Sequence, residues 1–450
     1  MWETARDSEV ESSRDSAPVP GVLVVWSDRA PRLIALRIPA AGLVLGRETL
    51  ADAHDERMSR QHARITCAGE QMRVADLGSR NGTHVGGRQI ASIEVAAPAP
   101  VVVRVGRTVV IAVDDIRAFE GATVATGDGV VGPTLRAAWS AVERAARGGR
   151  SLLVTGESGV GKELAARAFH RASGVSGELV AVNCAAIPAG LAERLLFGTR
   201  KGAYSGADRD ADGYLAAADG GTLFLDEVAE LDLDVQAKLL RVLETGELLA
   251  LGAARPRPVQ LRVVAATLRD LRAAVAAGRF RDDLYYRIGR PEVRLPPLRE
   301  RLEEIPWLVA AAIASRGLPA HPSLIEACLL RPWPGNVREL IAEAARAAHA
   351  AFEGDRPAVR AEDLDEQAGR AHVASGAAAA EAAEPARPKS VGLPDDDTIL
   401  AALKAEGGNV SRASRRLGVH RNQLRRYLGK HPAAAALAAS DGSVTDDTDA

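Results

Sequence analysis

Apolar residues in the first quarter of the chain fall in short runs between Gly, Asp and Pro breaks: Val22 to Val25, Leu33 to Ile38, Leu43 to Leu45, Val101 to Val105, Val109 to Val113. Runs of that length bounded by turn residues predict strands, and their spacing predicts a β-sandwich over residues 21–118. After Gly127-Asp128-Gly129 the pattern changes to helical stretches of Ala, Leu, Glu and Arg alternating with compact apolar strands such as Leu152-Leu153-Val154 and Leu223-Phe224-Leu225. Such alternation predicts an α/β domain with a parallel sheet between helices. It runs to about Leu298, and a more helical part, expected as a lid, continues to about Phe352, so the second domain spans 128–353. Residues 367–394 are rich in Ala, Glu, Pro and Gly without a bulky periodic face and read as a linker. Over 395–431 an apolar-spaced helix, a Gly turn and a second helix predict an all-α helix-turn-helix. Residues 1–20 and 432–450 have few large apolar groups and are expected as a flexible leader and a disordered tail.

A chain of 450 residues exceeds one ordinary core, in line with several domains. A net charge of -2 excludes a polybasic protein throughout, so contact with nucleic acid would have to come from local clusters. Cys67, Cys184 and Cys328 are far apart, odd in number and without metal-ligand spacing, as expected of reduced thiols. Glu3, Asp7, Glu9 and Glu11 stand where a secretory signal would be basic and then apolar, and no run is long enough to span a bilayer. A cytoplasmic location is the expectation.

The chemistry begins at Gly156-Glu157-Ser158-Gly159-Val160-Gly161-Lys162, after a predicted strand and before a predicted helix. Glycines there let backbone N–H groups turn onto phosphate oxygens, the helix N-terminus adds positive potential, and Lys162 reaches the β- and γ-phosphates of a nucleotide. Downstream, Thr222-Leu-Phe-Leu-Asp226-Glu227 is an apolar strand ending in two carboxylates. Asp226 suits coordination of Mg2+ and Glu227 suits polarisation of an attacking water. Alone, either motif is a Gly-rich turn or a solvated strand end; in this order they point to an ATPase.

Between them lies Gly202-Ala203-Tyr204-Ser205-Gly206-Ala207, flanked by Phe197-Gly198, Lys201-Gly202 and Ala218-Asp219-Gly220-Gly221-Thr222. This set resembles the AAA+ motor of bacterial sigma-54-dependent transcriptional activators, in which the loop reads GAFTGA and pushes on the sigma factor. The resemblance implies an ATPase with Mg2+ that forms a ring, commonly a hexamer. Glu163, where other P-loops place Ser or Thr, matches the family's GESGTGKE form and shifts the magnesium burden onto Asp226. The resemblance makes Asn183 the residue that switches the catalytic glutamate, Arg281 and Arg287 the fingers reaching a neighbour's γ-phosphate, and Arg338 the nucleotide-sensing arginine of the lid. Read without it, Asn183 is a turn residue and the arginines are helix-surface cations. The chain departs from the family pattern at Leu268, where the family has asparagine after the threonine, and at Tyr204 and Ser205, where the family's loop has Phe and Thr.

Gly46-Arg47, Ser59-Arg60-Gln61-His62 and Asn81-Gly82-Thr83 occur in an order that resembles a forkhead-associated (FHA) domain, a phosphothreonine reader. By that resemblance Arg47 and Ser59 bond the phosphate, Asn81 the peptide backbone, Arg60 adds positive potential and His62 braces the loops from inside. At the C-terminus, Gly408 to Val419 leading into His420-Arg421-Asn422-Gln423-Leu424-Arg425-Arg426 resembles a Fis-type module. Arg421, Asn422, Gln423, Arg425 and Arg426 suit base edges or phosphates of enhancer DNA. The whole is expected to be an activator of sigma-54 RNA polymerase with a phosphothreonine protein as input. Alternatively it is a phosphopeptide- and DNA-binding regulator whose motor does not remodel sigma-54; Tyr204, Ser205 and Leu268 support that alternative.

Overall fold

A computed structural model describes residues 17–51, 55–69, 71–96, 100–127, 129–188, 190–203, 208–370 and 396–417, with 419, 424, 427, 428 and 431. It divides into one compact unit over Met1–Ala371 and a second over His372–Ala450.

The first unit opens with ten strands: β1 (Gly21–Ser27), β2 (Ala30–Arg37), β3 (Leu43–Leu45), β4 (Ala63–Ala68), β5 (Gln71–Asp76), β6 (Thr83–Val85), β7 (Arg88–Ile90), β8 (Ser92–Ala96), β9 (Val101–Val105) and β10 (Thr108–Val113). They form two antiparallel sheets, in the orders β2-β1-β10-β9-β6-β7 and β3-β4-β5-β8. Successive side chains of a strand point to opposite faces, so Val22, Val24, Val103, Val110 and Ala112 meet Leu45, Ile65 and Val74 of the other sheet in the sandwich core. This is the expected β-sandwich.

The opposite face of the larger sheet is also buried. Leu23, Val25, Trp26, Val102, Val109 and Ile111 share a second core with Leu308, Val309, Ile313, Leu324, Ile325 and Leu329 of the lid. Every residue of β1 is buried, and five of the six of β10. Continuous apolar strands are the mark of burial on both faces, and the runs Gly-Val-Leu-Val-Val-Trp-Ser and Thr-Val-Val-Ile-Ala-Val carried that signal in the sequence.

After the two-residue strands β11 (Ala125–Thr126) and β12 (Val130–Val131), the chain builds a parallel sheet from β13 (Ser151–Thr155), β14 (Leu179–Asn183), β15 (Thr222–Asp226), β18 (Arg262–Thr267) and β19 (Glu292–Arg294). The order is β14-β15-β18-β13-β19, and a small hairpin, β16 (Glu247–Leu248) and β17 (Arg257–Pro258), stands apart from it. Helices α1 (Pro133–Gly148) and α2 (Lys162–Ser173) pack with Leu152, Val154, Phe224 and Val264 in one apolar layer. The other layer holds α3 (Ala192–Phe197), α4 (Tyr214–Ala217), α5 (Leu233–Thr245), α6 (Leu271–Ala276) and α7 (Asp282–Ile288). This is the α/β arrangement expected, and β13, β15 and β18 all end at its carboxyl edge, where α/β sheets bind ligands.

The lid consists of α8 (Ile305–Ile313), α9 (Pro322–Leu329) and α10 (Asn336–Glu353). Beyond α10 the chain stays attached. Trp333, fully buried, donates its indole N–H to Cys328 O (2.7 Å) and its backbone N–H to Gly369 O (3.0 Å), while Gly369 N–H bonds to Glu339 Oε1 (2.8 Å). Residues 367–370, which composition assigns to the linker, are therefore tied to the lid, because backbone groups with no bulky side chains beside them still close hydrogen bonds.

The second unit contains α11 (Asp396–Ala405) and α12 (Val410–Arg416), whose Ile399, Leu403 and Ala413 pack with Val419, Leu424 and Leu428. These all-α elements agree with the helix-turn-helix expectation. Among the described residues no helix is long and apolar enough to cross a membrane.

Candidate functional site

The loop from Gly156 to Lys162 leaves β13 and enters α2 with Gly156, Gly159 and Gly161 at φ 151°, 73° and 109°. Glycine occupies such angles without steric cost. At Gly159 space matters as well as angle, since a Cβ would lie 2.2 Å from Gly335 O. Lys162 is buried; its ammonium donates to Gly156 O (3.0 Å) and lies 3.6 Å from Glu227 Oε1. Asp226 ends β15 beside it. Burial raises the Asp226 pKa, an effect opposed by Lys162 and reinforced by Glu227.

Glu227 has φ 54° and ψ 49°, the left-handed region, and its Oε2 accepts the Leu268 N–H at 3.1 Å. At the position of the asparagine departure the structure therefore employs the backbone, and the Leu268 side chain is 52% exposed. Asn183 is the register partner of Asp226 in the sheet; its carboxamide oxygen accepts Ala185 N–H (3.0 Å), so it caps its own turn and is not bonded to Glu227. Ser158, Gly159, Val160, Gly161, Lys162, Glu163, Asn183, Asp226, Glu227 and Arg338 all line one cavity of about 1120 Å³. Glu163 is nonetheless turned to Arg167 in an exposed pair at 2.7 Å. Glu157 is bonded to Arg299 (2.6 and 2.8 Å), which holds its carboxyl below the usual range. Arg338 on α10 reaches Ser158 Oγ at 3.3 Å. Arg281 and Arg287 lie outside that cavity: Arg281 pairs with Asp283 (2.7 Å), and Arg287 donates to Leu243 O (2.6 Å) from the end of α7.

Two residues at this site were missed by sequence reasoning. Asn336, fully buried at φ 52°, donates to Glu157 Oε2 (3.1 Å) and Ser158 O (2.9 Å) and accepts Leu298 N–H (2.8 Å). It staples the phosphate loop to the lid. Asparagine tolerates left-handed backbone better than most residues, and Trp333-Pro334-Gly335-Asn336 was the available signal. Arg301, 2% exposed, donates to Val160 O (2.7 Å) and pairs with the fully buried Glu304 (2.8 Å), whose carboxyl burial pushes up to about 7. Cys184 is buried near Asp226 and Glu227, and its thiol is pushed up to about 12, first by burial.

Gly202 and Ala203 stand on an arm pinned by the Thr199–Ala211 bridge and by Asp210 Oδ1, which accepts Lys201 N–H at 2.8 Å. Tyr204, Ser205, Gly206 and Ala207 lie outside the described residues, as do Arg421, Asn422, Gln423, Arg425 and Arg426.

A second site forms at one end of the sandwich. His62, fully buried, accepts Ser59 N–H on Nδ1 (3.1 Å), so Nε2 carries the proton given to Gly82 O (3.1 Å). Ser59 O accepts Arg47 N–H (3.1 Å), Ser59 Oγ accepts Arg80 N–H (3.2 Å), and the Asn81 amide donates to Arg57 O (2.6 Å). Arg47, Ser59, Arg60 and Asn81 are thus brought together around His62. Arg80, exposed beside them, was not singled out from the sequence.

Residues 131–294 match the sigma-54 interaction domain, 42–112 the FHA domain, and 396–431 the bacterial regulatory protein, Fis family. The transcriptional regulatory protein ZraR of Klebsiella oxytoca is 38% identical over 318 residues, 68% of this chain and 70% of that one. The chain belongs to the family of sigma-54-dependent transcriptional activators. This activator-family chain is also 45% identical over 296 residues to the nitric oxide reductase transcription regulator NorR2 of Cupriavidus necator, 61% of this chain and 57% of that one. To the acetoin catabolism regulatory protein of the same organism it is 43% identical over 295 residues, 62% and 43% of the two chains. It therefore spans about half the length of these two relatives.

Proposed function

We propose that this chain is an ATP-driven activator of sigma-54 RNA polymerase, held at enhancer DNA by its Fis-type module and controlled through phosphothreonine recognition by its FHA domain. The observation that carries this is the meeting of Lys162, Asp226 and Glu227 at the phosphate loop, with Glu227 3.6 Å from the ammonium and bonded to the Leu268 N–H. Phosphate oxygens of ATP are received by the loop N–H groups and Lys162, and Glu227 orients the water that displaces ADP from the γ-phosphorus. Arg281 and Arg287, outside their own chain's cavity, are suited to a neighbour's γ-phosphate, which requires a ring, in this proposal a hexamer. Among the described residues no three His, Cys, Asp or Glu side chains are placed to hold a metal together. In nucleotide sites the protein's share of the magnesium ligands is usually one or two carboxylates, the rest coming from substrate phosphates and water, and Asp226 fits that share. Magnesium there would neutralise charge on the β- and γ-oxygens.

The test is open-complex formation with sigma-54 polymerase on an enhancer-bearing promoter. The native chain with ATP should open it. Glu227→Gln should bind ATP without turnover or opening, and Ser205→Ala should hydrolyse ATP but open poorly. A native chain that hydrolyses ATP and footprints the enhancer without opening the promoter would make it a phosphopeptide- and DNA-binding regulator instead.

A further inference from the structure

Gln236 is fully buried on α5, beside Val235, Leu239 and Leu240, and both ends of its side chain are in use. Its carboxamide oxygen accepts the Arg281 N–H (2.8 Å), and its nitrogen donates to Leu231 O (2.7 Å) and Arg279 O (3.3 Å). A buried carboxamide needs a partner for its oxygen and for each amide hydrogen; here all three partners are backbone groups. Two of them flank Phe280, itself 2% exposed, so the chain is gripped just before Arg281 and at it. The third belongs to the turn that leaves Glu227, in which Glu230 N–H bonds to Glu227 O (3.0 Å) and Leu231 N–H to Val228 O (3.3 Å).

The Arg281 side chain is held differently. Its guanidinium forks onto Asp283 (3.0 and 2.7 Å), and both members of that pair are exposed. Exposed ion pairs contribute little, so the head of this arginine can exchange a carboxylate for a phosphate while its root stays fixed by buried bonds. The other arginine meets the same helix, through the Arg287 guanidinium on Leu243 O (2.6 Å). Gln236 itself stands outside the nucleotide cavity. Any influence it has on hydrolysis passes through the backbone it grips.

We propose that Gln236 is a positioning residue for hydrolysis in the neighbouring subunit: it fixes the root of Arg281, the finger that its own subunit extends, against the turn behind Glu227. This rests on the reading of Arg281 as a finger acting across a ring. Such an arginine stabilises charge on the γ-phosphate only where it arrives correctly, and a misplacement of about 1 Å can cost about 100-fold.

The test is steady-state ATPase kinetics of the full chain, alone and in mixed assemblies. Gln236→Met, similar in length and without the carboxamide, should lower kcat about 10- to 100-fold and leave KM for ATP within about threefold of native, since its own nucleotide cavity is untouched. Mixed with Glu227→Gln subunits, which have an idle catalytic centre and an intact finger, it should regain turnover above that of either variant alone, a gain that misfolded subunits cannot give. Mixed with Arg281→Ala subunits it should stay low, because neither then supplies a placed finger. Gln236→Glu, which keeps an acceptor for the Arg281 N–H, should retain more turnover than Gln236→Met and takes its place in the mixtures if the Met chain does not fold. Native kinetics in the Gln236 variants, or rescue by Arg281→Ala in place of Glu227→Gln, would overturn the proposal, the second by moving the action of Gln236 to its own catalytic centre. The reference mixture of Arg281→Ala with Glu227→Gln separates the two readings. Rescue there without rescue of the Gln236 variants removes the positioning proposal alone, and no rescue there removes the trans finger and this proposal with it.

Discussion

Glu227 sits at φ 54° with one carboxylate oxygen on the Leu268 N–H, and this bond does not depend on which side chain residue 268 carries. A hydrogen bond to a charged group contributes about 1.5 to 3 kcal/mol. Leu268→Pro, which removes the donor, should lower ATP turnover about 10- to 100-fold. Leu268→Asn keeps the donor and should stay within about threefold of the native chain; the reverse order in steady-state kinetics would mean that the side chain is what matters. At the N-terminus of α9, burial pushes the His321 pKa down to about 4, with help from Arg360, Arg104, Arg57 and Arg107. The native state holds this histidine neutral, so its contribution is complete above the unfolded value near 6.5 and is lost as pH falls toward 4. Thermal melting of the full chain should therefore drop between those values, and His321→Gln should flatten part of that slope. An unchanged slope would clear His321 of the effect.

At the scale of elements, the phosphate loop and lid are fastened by Asn336, by Val337 N–H on Gly159 O (3.1 Å) and by Arg301 on Val160 O (2.7 Å). Asn336→Ala removes its side-chain bonds while keeping a non-glycine residue at positive φ; Asn336→Gly removes the same bonds and relieves the backbone. Leaving a buried Leu298 N–H unpaired costs about 1 to 3 kcal/mol, so both variants should weaken nucleotide binding by about tenfold or more. Recovery of native affinity by the Gly variant alone would show that the bonds contribute little. The contact between the sandwich and α9 is equally specific. Glu326 accepts Arg104 Nε (2.6 Å) and Gly87 N–H (3.1 Å) with a side chain 4% exposed. Breaking a buried pair on one side costs about 3 to 5 kcal/mol. Glu326→Ala should lower the melting temperature of the first unit, and replacing both partners, Glu326→Met with Arg104→Met, should restore part of it.

For the first unit as a whole, the second face of β1 and β10 makes the sandwich and the lid one core. They should unfold in a single transition, detected equally by hydrogen exchange at the amides of β4 and β5 and by nucleotide release; a sandwich that melts separately would count against the shared core. Five sandwich strands, β1, β2, β3, β9 and β10, were legible early as apolar runs, whereas β4 to β8, which intersperse polar residues among their apolar ones, were not; the phosphate-loop and His62 constellations were legible because they record residue types in a fixed order. The linker composition at Gln367–Arg370 misled, since backbone bonds to Glu339 and Trp333 need no periodic side chains. Sequence by itself determined the alternation of β-rich, α/β and all-α segments, the most apolar strands, the phosphate loop with Asp226 and Glu227, and the order of residues around His62. Only the tertiary structure decided that the outer face of β1 and β10 meets α8 and α9, that Leu268 acts through its N–H, and that Asn336 closes the lid. An apolar run states that both faces are buried but not by what, and a bond to a backbone group leaves no mark on the residue that supplies it.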